Sequence, residues 1–162
     1  MILQALFPKI QIENLSNSDD TKVTMDALNS SDSIIDIHHA GTAMRFLTAY
    51  FSIQTDREII LTGSKRMQER PIRLLVNALK DLGAEITYDK KDGYPPLIIR
   101  GKKISKSKVT LPANISSQYV SALMLIATSL EKGLTIDLVG EMTSVPYIIM
   151  TKTILDKLGF DT

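Results

Sequence analysis

Cysteine and tryptophan are absent from these 162 residues. Without cysteine there are no disulfides and no thiolate metal sites. The only two histidines, His38 and His39, are adjacent. Neighbouring positions rarely share one metal as helix positions i and i+4 do, so no metal is expected. Long apolar runs are missing too, since each is broken within about a dozen residues, which excludes a membrane span. The N-terminal stretch MILQALFPKIQIENL has neither a basic region nor a small-residue cleavage site, so it does not read as a signal peptide. A formal net charge of +1 gives no reason to expect nucleic acid or an anionic membrane as partner. The expectation is a cytoplasmic protein, and any anion chemistry in it must come from local placement of charge.

What is present suits one domain spanning residues 1–162, with 44% hydrophobic and 23% charged residues. The chain also repeats itself. Ile60–Gly63, Arg70-Pro71-Ile72 and Leu74–Gly83 read as strand, polar loop and amphipathic helix. Leu138–Gly140, Val145-Pro146-Tyr147 and Ile149–Gly159 read the same way. In each, proline suits a first helical turn and Leu-Gly a left-handed helix end. A weaker third copy assigns Ile10–Leu15 to a strand, with Asp19 or Asp20 capping a helix through Val23, Ala27 and Leu28.

A nearly all-apolar helix precedes each of the clear copies, over Gly41–Phe51 and Ser116–Leu130. Both should be buried on most sides. Before the weak copy stands only Met1–Phe7, which looks like the end of a matching buried helix. Strands are expected at Ile34–Ile37, Val109–Leu111 and Leu134–Leu138, with a hairpin of Glu85–Tyr88 and Leu97–Ile99 around Asp92-Gly93. The fold class is α/β. It is a pseudo-threefold repeat of β-α-β-α-β-β units sharing buried central helices, the first unit truncated.

Polar residues gather where the buried helices begin. Gly41 allows close approach of a ligand, Thr42 offers a cap, and the free N–H groups of a helix start suit an anion. Ser116, Ser117 and Gln118 open the other buried helix with two hydroxyls and an amide, and Ser144 adds a hydroxyl in the last repeat. Arg66 supplies a planar guanidinium suited to carboxylate or phosphate. Equivalent loops of a pseudo-symmetric repeat should gather on one face and bring these residues together. Taken singly, each has an ordinary reading. Thr42 and Ser116 are common helix caps, Arg66 belongs to a solvated basic pair, and Gln118, Tyr147 and His39 are unremarkable alone.

Taken together, these residues carry a resemblance. AGTAMRFL at Ala40–Leu47 and LTGSKRMQERPI at Leu61–Ile72 resemble two signatures of the EPSP synthases. YPPL at Tyr94–Leu97, SSQYVSALMLIA at Ser116–Ala127 and SVPYIIMT at Ser144–Thr151 follow in the family's order. The resemblance implies the inside-out α/β barrel of the enolpyruvyl transferases. It implies transfer of a carboxyvinyl group from phosphoenolpyruvate to shikimate 3-phosphate in aromatic amino-acid biosynthesis, without metal or organic cofactor. It further implies that Gly41, Thr42, Arg66 and Gln118 meet phosphoenolpyruvate. Ser116, Ser117, Gln118, Ser144 and Tyr147 would meet shikimate 3-phosphate. Arg45 and Arg70 match family positions as well, with roles in holding helix starts and loops.

The chain departs from the pattern at His39, where the family usually has asparagine, and at Phe46, where it usually has proline. His39 retains a hydrogen-bond donor for an anion. Glyphosate competes with phosphoenolpyruvate in this family, and these departures leave sensitivity unread. By the same resemblance, a lysine-serine-asparagine-arginine element and the proton-transfer residues of a second lobe are absent. The expectation is one lobe of the enzyme, inactive alone, whose partner is the second lobe of the same polypeptide. UDP-N-acetylglucosamine enolpyruvyl transferase and a non-catalytic anion-binding module are the alternatives.

Overall fold

The computed structural model describes all 162 residues. α1 (Ile2–Leu6) and α2 (Asp19–Asn29) lead into β1 (Ile34–Asp36), α3 (Gly41–Ser52) and β2 (Glu58–Thr62). The single turn α4 (Lys65–Gln68), α5 (Arg73–Leu82) and the strands β3 (Glu85–Tyr88) and β4 (Leu97–Arg100) follow. β5 (Lys108–Pro112), α6 (Ser117–Ala127), β6 (Thr135–Val139) and α7 (Val145–Lys157) complete the order.

β1 and β2 are parallel, with Ile35 opposite Leu61, so the chain must cross back between them, and α3 makes that crossing. β4 adds antiparallel to β2 and β3 antiparallel to β4, giving the sheet order β1-β2-β4-β3. β5 and β6 form a second, two-stranded parallel sheet, with Val109 opposite Ile136, and α6 makes its crossing. The order strand, helix, strand, helix therefore occurs twice. The likeness extends to single hydrogen bonds. The N–H of Ile37, one residue past β1, donates to the last carbonyl of β2, Thr62, at 3.0 Å. The N–H of Ala113, one residue past β5, donates to the last carbonyl of β6, Val139, at 2.9 Å.

α3 and α6 pack against each other, and α1 packs on both. Ala43, Met44, Leu47, Ala49 and Phe51 of α3 and Ala122, Leu123 and Ile126 of α6 are fully buried, as their nearly all-apolar sequences demand. The buried hydroxyls of these helices all find partners. The hydroxyl of Thr48 donates to Met44 O and that of Ser52 to Ala49 O, both at 2.7 Å. Ser121 of α6 meets Thr151 of α7 at 2.7 Å. α5 is one-sided instead, burying Leu75, Val76, Ala78, Leu79 and Leu82 while Arg73, Asn77, Lys80 and Asp81 face solvent. It ends at Gly83 in the left-handed region (φ 109°), as the Leu-Gly signal predicts.

Five local expectations are corrected. Ile10–Leu15 is not a strand: no neighbouring strand offers it a ladder, Asn14 is left-handed (φ 53°), and Ile12 and Leu15 are exposed. Ser18 caps α2, its hydroxyl accepting from Thr21 N–H at 3.4 Å, while Asp19 and Asp20 sit in the first turn beside the positive end of the dipole. Pro146 lies in the first turn of α7 as expected, but Pro71 precedes the cap residue Ile72 and shapes the approach to α5. β6 starts at Thr135 and α6 stops at Ala127, each short of its expected limit.

Candidate functional site

The C-terminal ends of the parallel strands lead into the loops that start the buried helices, and backbone bonds tie these loops in pairs. Beyond β1, His38 takes a left-handed conformation (φ 51°), its N–H donating to the Asp36 carboxylate at 2.7 Å. Its carbonyl accepts from Ser64 N–H at 2.8 Å. Gly63 makes that approach possible, because a Cβ there would lie 2.5 Å from His38 O. Beyond β5, Ala113 O accepts from Thr143 N–H at 3.3 Å.

α3 starts directly at Gly41, with Ala40 in the cap position and no side-chain cap. This corrects the expectation that Thr42 caps the helix. Alanine has no acceptor, so the free N–H groups of the first turn are not masked by a neighbouring side chain. The Thr42 hydroxyl accepts instead from the Gln118 side-chain amide at 3.3 Å. Gln118 in turn is held by its backbone N–H, which donates to the hydroxyl of Ser116 at 3.4 Å, so Ser116 caps α6 as expected.

Behind Gly41 lies a second layer of contacts. The Arg45 guanidinium donates to Gly41 O at 2.7 Å. Arg45 is only 7% exposed, and its Nε has no partner. Burial lowers the pKa of this guanidinium, attraction to Tyr119 opposes the shift, and the neighbouring charge of Arg70 adds to it. The Tyr119 hydroxyl donates to Pro71 O at 3.0 Å, joining α6 to the segment that carries Arg70. Three segments far apart in sequence, 41–45, 70–72 and 116–119, thus meet.

The arginines divide by partner. Of the six, Arg73 pairs with Asp92, and Arg100 pairs with Glu58 and Glu85. Arg57 donates to Ser30 O and lies over the Phe51 ring. Arg45, Arg66 and Arg70 belong to no ion pair. Arg57 also lacks a carboxylate but is held by a carbonyl and a ring, and the other three lie in the segments singled out from sequence.

Gly41, Thr42, Arg45, Arg70 and Gln118 are therefore brought together, with Ser116 and Ser117 at the same helix start. Arg66 is exposed on α4, a turn braced by the Ser64 cap and by Gln68 donating to Gly63 O at 2.8 Å. Ser144 precedes α7 in the left-handed region (φ 56°), its hydroxyl making no cap, and Tyr147 is exposed one turn on. His39 is exposed as well. None of these four shares a side-chain hydrogen bond with the assembled group; the residue before Ser144, Thr143, donates its N–H to Ala113 O, three residues ahead of Ser116. Tyr119 was missed from sequence, although a lone aromatic on an aliphatic helix beside Gln118 was the available signal. No three histidine, aspartate or glutamate side chains cluster closely enough to hold a metal. The group is rich in N–H and hydroxyl donors and free of carboxylates, which favours anions.

The family model for EPSP synthase (3-phosphoshikimate 1-carboxyvinyltransferase) matches residues 2–161. The chain belongs to the EPSP synthase family. Among relatives, the 3-phosphoshikimate 1-carboxyvinyltransferase of Bacteroides fragilis strain YCH46 is 49% identical over 148 residues, covering 91% of this chain and 36% of that protein. The enzyme of the same name from Haemophilus influenzae strain PittEE is 47% identical over 123 residues, covering 75% of this chain and 28% of the other. The EPSP synthase of Acinetobacter baumannii superposes with a TM-score of 0.79 at 19% identity, covering 99% of this chain and 42% of that one. The α/β fold is that of EPSP synthases, and the chain spans about a third of the length of the family members it matches.

Proposed function

We propose that this chain is the shikimate-phosphate lobe of a 3-phosphoshikimate 1-carboxyvinyltransferase. In the full reaction the enolpyruvyl group of phosphoenolpyruvate passes to shikimate 3-phosphate and inorganic phosphate is released. The carrying observation is the bond from Gln118 to Thr42, which unites the starts of α3 and α6 in a carboxylate-free group of donors. Gly41, Thr42, Arg66 and Gln118 hold phosphoenolpyruvate, whose carboxylate and phosphate match guanidinium and helix-start N–H groups. Ser116, Ser117, Gln118, Ser144 and Tyr147 hold shikimate 3-phosphate, the hydroxyls taking the phosphate and the tyrosine the ring. The proposed repeat is pseudo-threefold, with α1, α3 and α6 as its central helices.

The acid and base of the transfer are proposed to come from a second lobe, since the donors assembled here include no paired acid and base. No helix is long and apolar enough to cross a membrane, in keeping with small-molecule substrates in a cytoplasmic pathway.

The test is an NMR titration of the 162-residue chain with shikimate 3-phosphate, UDP-N-acetylglucosamine and inorganic phosphate. Shifts at Ser116, Ser117 and Ser144 with shikimate 3-phosphate, larger than with the other two, are expected. A preference for the UDP-sugar would reassign the acceptor. Equal response to every phosphate would reduce the lobe to an anion-binding module.

A further inference from the structure

β5 and β6 pair only with each other, and α5 packs against β5, so the outer side of β6 is left free. Thr135 N–H donates to Ser107 O and Val139 O accepts from Ala113 N–H, so the odd-numbered residues of β6 bond towards β5. The N–H and C=O groups of Ile136 and Leu138 therefore point the other way, without a ladder partner. Free strand edges are commonly blunted by proline, lysine or a bulge. β6 has none of these: its register with β5 is unbroken, and its one charge, Asp137, is taken by Lys108 at 2.8 Å. β2, its counterpart in the other parallel pair, is closed on this side by the antiparallel β4.

Apolar surface adjoins the free edge. Ile136 and Leu138 line a groove of about 420 Å³ together with Met124 of α6 and Ile148 and Leu155 of α7. Met150, Ile154 and Leu158 are exposed along α7 and its end. Their spacing of four sets them on one stripe, beside the stripe of Ile148, Thr151 and Leu155 that packs inward. Seven of the twelve exposed large hydrophobic side chains lie between residues 139 and 158, so the exposed apolar area is concentrated around β6 and α7 rather than scattered.

We propose that this surface is a homodimer interface, in which β6 pairs antiparallel with β6 of a second copy about a twofold axis at Leu138. A free edge is its own complement when the partner runs antiparallel, and a closed twofold pair is the commonest assembly of identical chains. With Leu138 on the axis, Leu138 meets its own copy, Ile136 meets Gly140 and Asp137 meets Val139. An axis at Asp137 would set two carboxylates directly opposite, which disfavours that register. Val139, Met142, Met150, Ile154 and Leu158, with the strand edge, offer on the order of 500 Å² per copy, so the pair reaches the roughly 1,000 Å² at which specific interfaces begin. This surface is independent of the substrate assignment, since it uses none of the residues at the starts of α3 and α6.

The oligomeric state of the 162-residue chain tests this. Sedimentation velocity from about 1 μM to about 500 μM, a range that brackets weak interfaces of this size, should show the mass rising towards twice 18.0 kDa. Ile154→Glu, at an exposed position, should weaken association by about tenfold or more. The chain has no cysteine, so Leu138→Cys places a single thiol opposite its own copy, with α-carbons about 5.5 Å apart and within disulfide reach. Under glutathione oxidation it should crosslink into dimers, whereas Leu74→Cys, exposed on α5, should not. Should Leu138→Cys fail to fold, Asp137→Cys and Val139→Cys mixed in equal amounts should crosslink with each other instead. A mass that stays at one copy throughout would overturn the proposal and leave the edge to a strand from a different polypeptide. Growth into species larger than dimers would overturn it as well. So would a dimer that is insensitive to Ile154→Glu and yields no crosslink through positions 137–139.

Discussion

The side-chain amide of Gln118 donates to the hydroxyl of Thr42 at 3.3 Å, joining the first turns of two buried helices across 76 residues of sequence. Along the same interface the Arg45 guanidinium of α3 lies beside Tyr119 of α6, and the remaining shared surface is largely apolar packing. Thr42→Val keeps the shape and removes the acceptor, while Gln118→Ala removes the donor. Each is expected to lower stability by about 0.5–1.5 kcal/mol, with a coupling of similar size in the double variant. Denaturant unfolding measures this. A coupling indistinguishable from zero would show that the two helix starts are set by packing alone.

Tyr119→Phe should lower stability by about 1 kcal/mol through loss of the bond to Pro71 O, with the midpoint falling and the m-value unchanged. The same variant should perturb the amides of Met67–Arg73 by NMR, since the hydroxyl anchors that segment. Shifts confined to α6 would contradict the anchoring.

Tyr88 presents the opposite case, a hydroxyl that is buried without a partner. Burial raises the pKa of its phenol above the ordinary value, Arg73 pulls it back, and Asp92 pushes it up further. A raised phenol pKa means that the fold prefers the neutral form. The stability linked to this group is fully present below the unfolded pKa of about 10 and is lost as pH rises through the folded value. Tyr88→Phe should therefore flatten the alkaline fall in stability. At neutral pH it should be neutral or stabilising by up to about 1 kcal/mol, because no hydrogen bond is lost. Thermal melts at neutral and alkaline pH separate these outcomes, and a clear loss at neutral pH would reveal a partner for the hydroxyl.

Leu79→Ala tests the core beneath α5. The side chain is wholly buried within the main apolar cluster, so a loss of about 2–5 kcal/mol is expected. A loss below about 1 kcal/mol in denaturant unfolding would mean that the site collapses around the smaller side chain.

Periodicity made much of this fold readable. The nearly all-apolar runs of α3 and α6 announce burial on most sides, and the Leu-Gly endings announce Gly83 and Gly159 as left-handed (φ 109° and 86°). Where local preference competes with tertiary context, reading failed. Ile10–Leu15 has strand-like residues but no partner edge. Thr42 has a capping side chain, yet the helix begins one residue earlier and the hydroxyl answers Gln118 instead. The motif residues of the site were visible from sequence; the cross-links between them were not. Nothing in the pattern of residues 116–119 says that Tyr119 reaches Pro71, because such a bond depends on how α6 lies against the loop before α5.

The two parallel pairs are built alike but framed differently. β2 has neighbours on both sides, β1 and β4, whereas β6 is bonded to β5 alone. Amides of β6 that point away from β5 have no ladder to leave before they meet solvent, while those of β2 are enclosed within its sheet. Local opening should begin at β6, so the loop carrying Ser144 hangs from the softer of the two frames and the loop carrying Arg66 and Arg70 from the stiffer. The two halves of the proposed substrate pocket would then differ in tempo: a steady phosphoenolpyruvate side, and a shikimate-phosphate side that gains its order from whatever lies against β6.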